Sequence, residues 1–457
     1  MKTVLLSLIM ALSLNLQARD NSHLNAEDIN NAPKSFESDG KKFDFVDFKL
    51  AQYHVKYDVA KQTATAESEI EFEARSEAFP IFDLVPSATE IELDGEKVSS
   101  FIVRSPENAT SYISINKQVA SGRHVLKIKN NISNNLRFQA GGVLSSFWMS
   151  DLNDRQYLEQ YLPANLEFDR HKSILTVEFI NSNVEQRIFT NGQVEMITPN
   201  LFRIEFPEYF TSSSYYFHTA YKGRFDEKTI GYQTLDGRQI KITVYRDVGQ
   251  DLNSFLNTAV KVLNELEKDY GPWHHNDVTI YGAGMGGMEY CGATMTSFSA
   301  LGHELAHSYF ARGVMPAHGN SGWIDEAIAS WRDNSYPRSR SVGFSSSSMA
   351  AHSNYRRFTD RDAYTKGAKF MAFLDSQLAD QGGLKAFLKV YKDKWLFTPM
   401  FTENFIQDLE AHSQMEFEKL FKDYVYAKPG SGWEKSQESV ENPHHPRLSA
   451  KFYYDLL

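Results

Sequence analysis

A change in the spacing of apolar residues divides this chain into two halves and limits the folds it can adopt. From about Phe48 onward, apolar and polar residues alternate in short segments separated by turn residues. The alternating segments are residues 53–59, 64–72, 124–129, 174–180 and 201–206. A period of two is typical of strands that bury one face. We therefore predict one β-rich domain over residues 46–225.

The second half changes to a helical period. Between Leu252 and Leu266 the apolar residues fall on one face of a helix, which Gly271 should end. After a short strand at 278–281, the chain is expected to be mostly helical to about Ala427, with a Ser-rich surface loop. We predict a second, mainly helical domain over 226–427, which makes the whole chain an α+β multidomain protein. Residues 428–457 are predicted to be an extended tail.

The N-terminus has the pattern of an export signal. Residues 1–18 combine Lys2, an apolar stretch and Ala18 at a plausible cleavage point. This stretch is too short for a membrane anchor, and a buried N-terminal helix is the alternative. We expect a signal peptide and a secreted or periplasmic protein without a membrane span. Residues 19–45 are polar and are predicted to be a flexible lead-in.

Charge and cysteine content exclude some classes of function. The formal net charge is −10 and no basic stripe is present, which argues against a nucleic-acid partner. Cys291 is the only cysteine, so an internal disulfide is excluded. It lacks a nearby base in the sequence and is predicted to be a buried or inert thiol. The sequence carries no indication of oligomeric state.

The segment His303-Glu304-Leu-Ala-His307 has the spacing of a metal site. Two histidines four residues apart project from one face of a helix, about one turn from each other. Their imidazoles can then bind one Zn²⁺, and Glu304 can act as general base on a water activated by that metal. The alternative is a chance pattern on a core helix.

A third ligand is predicted further along the chain. Eighteen residues separate His307 from Glu326, and Asn320-Ser-Gly before it offers caps for a second helix that carries Glu326 near its start. Three protein ligands leave the fourth position of zinc open, which marks a catalytic site rather than a structural one. We predict one zinc ion bound by these three side chains.

These motifs resemble those of a known family. The stretch from His303 to Glu326 is similar to the zinc signature of the gluzincin aminopeptidases, the family of aminopeptidase N, and Trp323 matches a tryptophan of that signature. Gly286-Gly287-Met288-Glu289 resembles the family's exopeptidase motif, which lies upstream. Tyr364-Thr-Lys-Gly resembles its downstream tyrosine motif. All three occur here in the family's order.

The resemblance implies a fold and an activity. The expected fold is a saddle-like β domain followed by a thermolysin-like zinc peptidase domain. Glu289, with Gly286, Gly287 and Met288, would bind the free α-ammonium of a peptide, and Tyr364 would donate its hydroxyl to the oxyanion. The implied activity is that of a zinc aminopeptidase, which removes N-terminal residues from peptides by metal-activated attack of water.

Some positions depart from the family pattern. Tyr290 stands where the exopeptidase motif has asparagine, and Ala311-Arg312 replaces the Gly-Asn that usually follows the zinc helix. Only 37 residues separate Glu326 from Tyr364, a compact spacing.

Two further expectations concern the cleft. The sequence does not contain the family's large C-terminal helical domain, so a more open cleft is expected. An acid from the β-rich domain should assist amine binding, and Asp154 and Glu159 are the candidates. His318 and His352 have no ligand spacing and are predicted to lie at the surface.

Two other functions remain open. One is a zinc endopeptidase with an open cleft, which the presence of Glu289 disfavours. The other is a non-catalytic envelope protein that binds partners on a peptidase scaffold. The second is disfavoured because the base Glu304 and all three ligands are present.

Overall fold

The computed structural model describes residues 28–426. The predicted signal peptide (1–18), the first part of the lead-in and the predicted tail (428–457) lie outside the described residues. Within them, a large β-rich part is followed by a mainly helical part.

The β-rich part begins earlier than predicted and contains seventeen strands among the described residues. They are β1 (Phe36–Ser38), β2 (Lys41–Phe45), β3 (Asp47–Asp58), β4 (Thr63–Ala74), β5 (Phe79–Phe82), β6 (Ala88–Leu93), β7 (Glu96–Lys97), β8 (Ser100–Arg104), β9 (Ser111–Ile115), β10 (Gly122–Ile132), β11 (Leu136–Gln139), β12 (Gly142–Ser146), β13 (Lys172–Ile180), β14 (Gln186–Thr190), β15 (Gln193–Thr198), β16 (Leu201–Phe206) and β17 (Phe217–Tyr221). All five alternating segments of the sequence fall on these strands.

Three sheets build this part. The largest has eight strands in the order β15-β16-β13-β3-β4-β10-β6-β7, in which β13 runs parallel to β3 and the other pairs are antiparallel. A five-stranded sheet has the order β1-β2-β5-β9-β8, and a four-stranded sheet the order β11-β12-β17-β14. Burial alternates along β4, which is why its period of two is visible in the sequence.

The prediction of a flexible lead-in is wrong for its described part. Residues 28–31 form a 3-10 turn, and β1 and β2 belong to the five-stranded sheet. Phe36, Phe43 and Phe45 are buried in a small apolar core with Phe168 of the later chain. The prediction failed because few residues of this segment are apolar, although the burial of three phenylalanines helps to hold it in place.

The helical part contains seven strands and seven α-helices among the described residues. They are, in chain order, β18 (Phe225–Gln233), β19 (Gln239–Asp247), α1 (Asn253–Tyr270), β20 (Val278–Gly282), β21 (Gly287–Tyr290), β22 (Ala293–Thr296), α2 (Leu301–Phe310), β23 (Val314–Pro316), α3 (Trp323–Asp333), α4 (Ala368–Gln377), α5 (Leu384–Trp395), β24 (Thr398–Met400), α6 (Thr402–Ser413) and α7 (Glu418–Tyr424). The predicted helix after Leu252 is α1, which ends at Gly271, and the predicted strand at 278–281 is β20.

A five-stranded sheet positions the site. Its order is β18-β19-β20-β22-β21, with β19, β20 and β22 parallel and β21 antiparallel at the edge. The strand β22 was missed, because a four-residue strand beside glycines has little periodic signal. Residues of β21 and β22 pack into the large core of the β-rich part, whereas the helices share a separate core with residues of β18, β19 and β20. The edge strand therefore lies at the seam between the two parts.

The chain from Asn334 to Arg361 contains no helix or strand. A five-residue π-type helix, Ala363–Gly367, follows it and continues directly into α4. Among residues 28–426, no helix combines the length and apolar composition needed to cross a bilayer.

Candidate active site

The two histidines of the predicted metal site lie on α2, which packs against the edge strand on one side and α3 on the other. Their spacing of four residues brings the two imidazole centroids to 4.7 Å from each other. His307 is buried and His303 is partly exposed toward the cleft. The helix thus presents both rings on one face, as predicted.

Glu326 lies in the first turn of α3 and faces both rings. Its Oε2 is 3.0 Å from His303 Nε2 and 3.5 Å from His307 Nε2. The predicted Asn-Ser cap is absent: Gly322 is the N-cap, and no side chain caps the helix. A 3-10 turn over Gly319–Ser321 leads into the helix instead.

The three side chains fit a zinc ion by the chemistry of their donors. One ligand atom from each of His303, His307 and Glu326 lies within 4.8 Å of the other two. Two imidazole nitrogens and one carboxylate oxygen are donors that zinc accepts in catalytic sites. Burial lowers the pKa of His307, but Glu326 and Glu289 outweigh it and raise that pKa to about 10. The surroundings therefore favour positive charge at this point, as a metal cation would require.

Asp333 supports the first histidine and was not predicted. Its Oδ2 is 2.7 Å from His303 Nδ1, on the side of the ring opposite Glu326. A carboxylate on the second ring nitrogen fixes the ring orientation and raises its basicity toward a metal. Asp333 lies seven residues after Glu326, so two turns of α3 place both acids on one face. That spacing is a signal in the sequence that could have identified it.

Glu304 is buried beside the glycines of the edge strand. Burial raises its pKa to about 8, although His303 and His307 act in the opposite direction. A Cβ on Gly287 would lie 2.5 Å from the carboxyl carbon of Glu304. The missing side chain at Gly287 thus leaves the space that the Glu304 carboxylate occupies.

Glu289, on β21, reaches the same place from the edge strand. Ligand atoms of Glu289, Glu304 and His307 lie within 4.8 Å of one another. Glu289 is 3% exposed, and its Oε1 accepts a hydrogen bond of 2.7 Å from Arg312 Nη2. The next residue, Tyr290, anchors the strand, because its hydroxyl accepts a hydrogen bond of 3.2 Å from the backbone N–H of Met149 in the β-rich part.

Tyr364 also reaches the metal site despite its compact spacing. Its hydroxyl donates a hydrogen bond of 2.7 Å to Glu326 Oε1, and its ring stacks on His303 with centroids 6.2 Å apart. Burial and the nearby acids Asp151 and Glu326 raise its pKa, so the hydroxyl keeps its proton. The π-type helix turns this side chain toward α3, and such helices are frequent at functional sites.

A cleft of about 260 Å³ joins these groups. It is lined by Ser150, Asp151, Leu152, Asn153, Gln156, Gly286, Gly287, Met288, Glu289, Met295, His303, Glu304, Glu326 and Tyr364. The residues predicted to bind the metal, to act in catalysis and to bind substrate all line it except the buried His307, whose ligand atom lies within 4.8 Å of those of His303 and Glu326. The β-rich part contributes the residues from Ser150 to Gln156.

The two candidate acids of the β-rich part are not in this cleft. Asp154 accepts a hydrogen bond from Thr110, and Glu159 accepts one of 2.7 Å from the backbone of Tyr157. The acid that reaches the cleft is Asp151, whose pKa burial and the charges of Glu326 and Glu289 raise to about 7. The structure thus brings Asp151, and neither of the two candidates, to the cleft, since no periodicity shows which side of an irregular loop faces the site.

Three residues outside the site can also be placed. Cys291 is buried, and burial raises its pKa to about 12, which is consistent with an inert thiol. His318 is buried rather than exposed, and its Nε2 lies 2.6 Å from the backbone oxygen of Asn31. His352 is half-buried against Phe358. The surface prediction for His318 is wrong because the described part of the lead-in covers it.

Comparison with known proteins supports the fold. No protein-family model and no curated protein sequence matches this chain. Among solved structures, an M1 zinc metallopeptidase from Deinococcus radiodurans superposes with a TM-score of 0.62 at 15% identity, covering 84% of this chain and 95% of the other. A variant of that protein was solved with a Tyr-Ser-Ala substrate.

Two longer proteins share the fold. Legionella pneumophila aminopeptidase A, in complex with aspartic acid, has a TM-score of 0.62 at 12% identity, covering 84% of this chain and 49% of its own. Yeast LTA4 hydrolase, in complex with bestatin, has a TM-score of 0.59 at 16% identity, with 83% and 68% covered. The chain has the fold of the M1 zinc metallopeptidases, and the predicted resemblance to the aminopeptidase N family is confirmed at that level.

Proposed function

We propose that this protein is a zinc aminopeptidase that removes N-terminal residues from peptides. The observation that carries the proposal is the position of Glu289 next to the candidate metal site, within 4.8 Å of ligand atoms of Glu304 and His307. A carboxylate at this distance can bind the free α-ammonium of a peptide while the first peptide bond reaches the base.

His303, His307 and Glu326 would hold the metal, and Asp333 would orient the first histidine. When bound there, zinc supplies a Lewis acid that polarises the peptide carbonyl and makes water more acidic. Glu304 accepts the proton of the attacking water and then returns it to the leaving amine. Glu304 is buried with its carboxylate within 4.8 Å of ligand atoms of His307 and Glu289, so it can serve in both proton transfers.

The amine is held from two sides of the cleft. Glu289 comes from the edge strand, and Asp151 comes from the β-rich part, with Gln156 next to it in the lining. Two carboxylates around one ammonium give charge-assisted hydrogen bonds that an acetylated terminus cannot make. This arrangement fixes the position of the first residue and favours release of one residue at a time.

Tyr364 is placed to stabilise the oxyanion. Its hydroxyl keeps its proton and now donates to Glu326, beside the point where the carbonyl oxygen would lie. If the hydroxyl turned toward the substrate, its hydrogen bond to Glu326 would be replaced by one to the carbonyl oxygen. That oxygen gains negative charge as water attacks. A positioned donor of this kind lowers the activation barrier by about 3–4 kcal/mol.

We also propose an identity for each of the two parts of the fold and a location for the protein. We take the β-rich part as the saddle-like domain and the helical part as a thermolysin-like domain. The structures solved with Tyr-Ser-Ala and with aspartic acid are those of proteins of the same fold, which supports a peptide substrate here. The predicted signal peptide supports a secreted or periplasmic protein.

The proposal is tested with Glu304→Gln. This variant should retain one zinc per chain, measured by elemental analysis, and lose at least about 10³-fold in kcat on aminoacyl reporter substrates. Chelation of the wild type should abolish activity, and added zinc should restore it. Activity that survives both changes would exclude the proposal.

A further inference from the structure

Arg312 connects the amine-binding acid to the other half of the molecule. It lies two residues after α2 and is 0% exposed. Its Nη2 donates to Glu289 Oε1 at 2.7 Å, while its Nη1 donates to Glu167 Oε1 of the β-rich part at 3.2 Å and to the Ser213 hydroxyl. One guanidinium therefore bridges two buried carboxylates that belong to different parts of the fold.

The bridge restricts Glu289 in a specific way. A planar guanidinium has donors in fixed directions, so an acid that it binds is fixed in orientation as well as in distance. Arg312 engages one carboxylate oxygen of Glu289 and leaves the second for another partner. Glu167 in turn is held from its other side by Arg357, which fixes the far end of the bridge.

This restriction matters because the cleft is crowded with acids. Asp151, Glu289, Glu304 and Glu326 all line it. Glu289 lies close enough to His307 and Glu304 to form a second metal-type cluster with them. Without a cation behind it, its carboxylate would be drawn toward a metal held by His307.

We propose that Arg312 is a positioning residue that holds Glu289 for the amine of the substrate and away from the metal. The inference rests on the proposed function. It concerns a position at which this chain departs from the pattern of the family it resembles, where asparagine is usual. Arg312 does not touch substrate in this account, and it acts only through Glu289.

The test measures binding rather than turnover. In a Glu304→Gln background, calorimetry gives dissociation constants for a tripeptide and its N-acetylated form, and their ratio reports amine recognition. Arg312→Met should lower this ratio by about tenfold or more, since a charge-assisted contact to Glu289 is lost. Arg312→Lys should restore part of it, because an ammonium can still pair with Glu289 without a guanidinium's two-sided geometry.

Arg170→Met is the matched control. Arg170 is also buried and also joins the two parts of the fold, since it pairs with Asp28 and donates a hydrogen bond of 2.8 Å to the backbone oxygen of Phe397, but it is not among the residues that line the cleft. The control should reduce thermal stability and leave the ratio unchanged. An unchanged ratio in Arg312→Met, or an equal loss in Arg170→Met, overturns the inference.

Two outcomes separate the inference from the proposed function. If the Glu304→Gln parent binds both peptides equally, amine recognition fails and the proposed function fails with it. If the parent discriminates and Arg312→Met does not fold, Arg312→Lys decides: a ratio below that of the parent supports the inference, and a ratio equal to it overturns it. Zinc content, measured in every variant, should stay at one per chain.

Discussion

Substitution of Asp333 should weaken metal binding although all three candidate metal ligands are kept. Its Oδ2 lies 2.7 Å from His303 Nδ1, and its side chain is 41% exposed. Loss of such a supporting carboxylate costs about 10–100-fold in metal affinity or activity. Because solvent screens this exposed contact, we expect the lower end for Asp333→Ala, about tenfold or about 1.4 kcal/mol.

Asp333→Asn separates geometry from charge. Its amide oxygen can still accept from Nδ1, and a neutral hydrogen bond has about half the strength of a charge-assisted one, so we expect a loss of about threefold. Zinc dissociation constants from chelator competition give the order wild type, Asn, Ala. Glu265→Ala is the control, because Glu265 shares the partner Arg332 but lies away from the ring. Wild-type zinc affinity in Asp333→Ala would show that the contact with His303 Nδ1 does not support metal binding.

Three further changes test other parts of the account. Tyr364→Phe should lower kcat by about 10²–10³-fold and leave KM and zinc content nearly unchanged, because the ring is kept and the donor to Glu326 or the oxyanion is lost; steady-state kinetics showing an equal kcat would contradict this role. Burial lowers the pKa of His318 to about 4 in the folded protein, below the value of about 6.5 for an exposed histidine. The free energy of unfolding of the wild type should therefore fall by up to about 3 kcal/mol as pH drops from about 6.5 to about 4. Urea unfolding of His318→Gln should lack this part of the loss. Identical pH profiles of stability for the wild type and the variant would exclude a contribution from His318. Gly367→Ala would place a Cβ 2.7 Å from that of Ala327. This overpacking should reduce the free energy of unfolding by about 1–3 kcal/mol and lower the Tm. An unchanged Tm would show that the two helices can move apart without loss of stability.

The cluster of candidate metal ligands could be predicted because its geometry is local. The spacing of His303 and His307 sets their common direction on any helix, and Glu326 needs only a second helix packed against the first. The alternating strands were equally visible, since burial of one face leaves a period of two. The assignment of Glu304 followed from its place beside His303, whereas that of Glu289 followed from the resemblance to a family motif.

The remainder depends on contacts between distant segments, which no local pattern records. Asp151 reaches the cleft because an irregular loop turns it there, and Arg312 joins Glu289 to Glu167 across the seam between the two parts. The lead-in was mistaken for a flexible segment because its strands find their partners in the rest of the β-rich part. Tyr364 reaches Glu326 because a π-type helix, which no sequence pattern predicted, turns its side chain toward α3.

Aminopeptidase activity is tested most directly by the products formed from one unlabelled peptide of about ten residues. Zinc-loaded protein is incubated with the peptide and with its N-acetylated form, and mass spectrometry follows both over time. A zinc aminopeptidase should give a ladder of products that lose one N-terminal residue at a time from the free peptide, and little change in the acetylated one. Internal cleavage, or equal cleavage of both peptides, would contradict it.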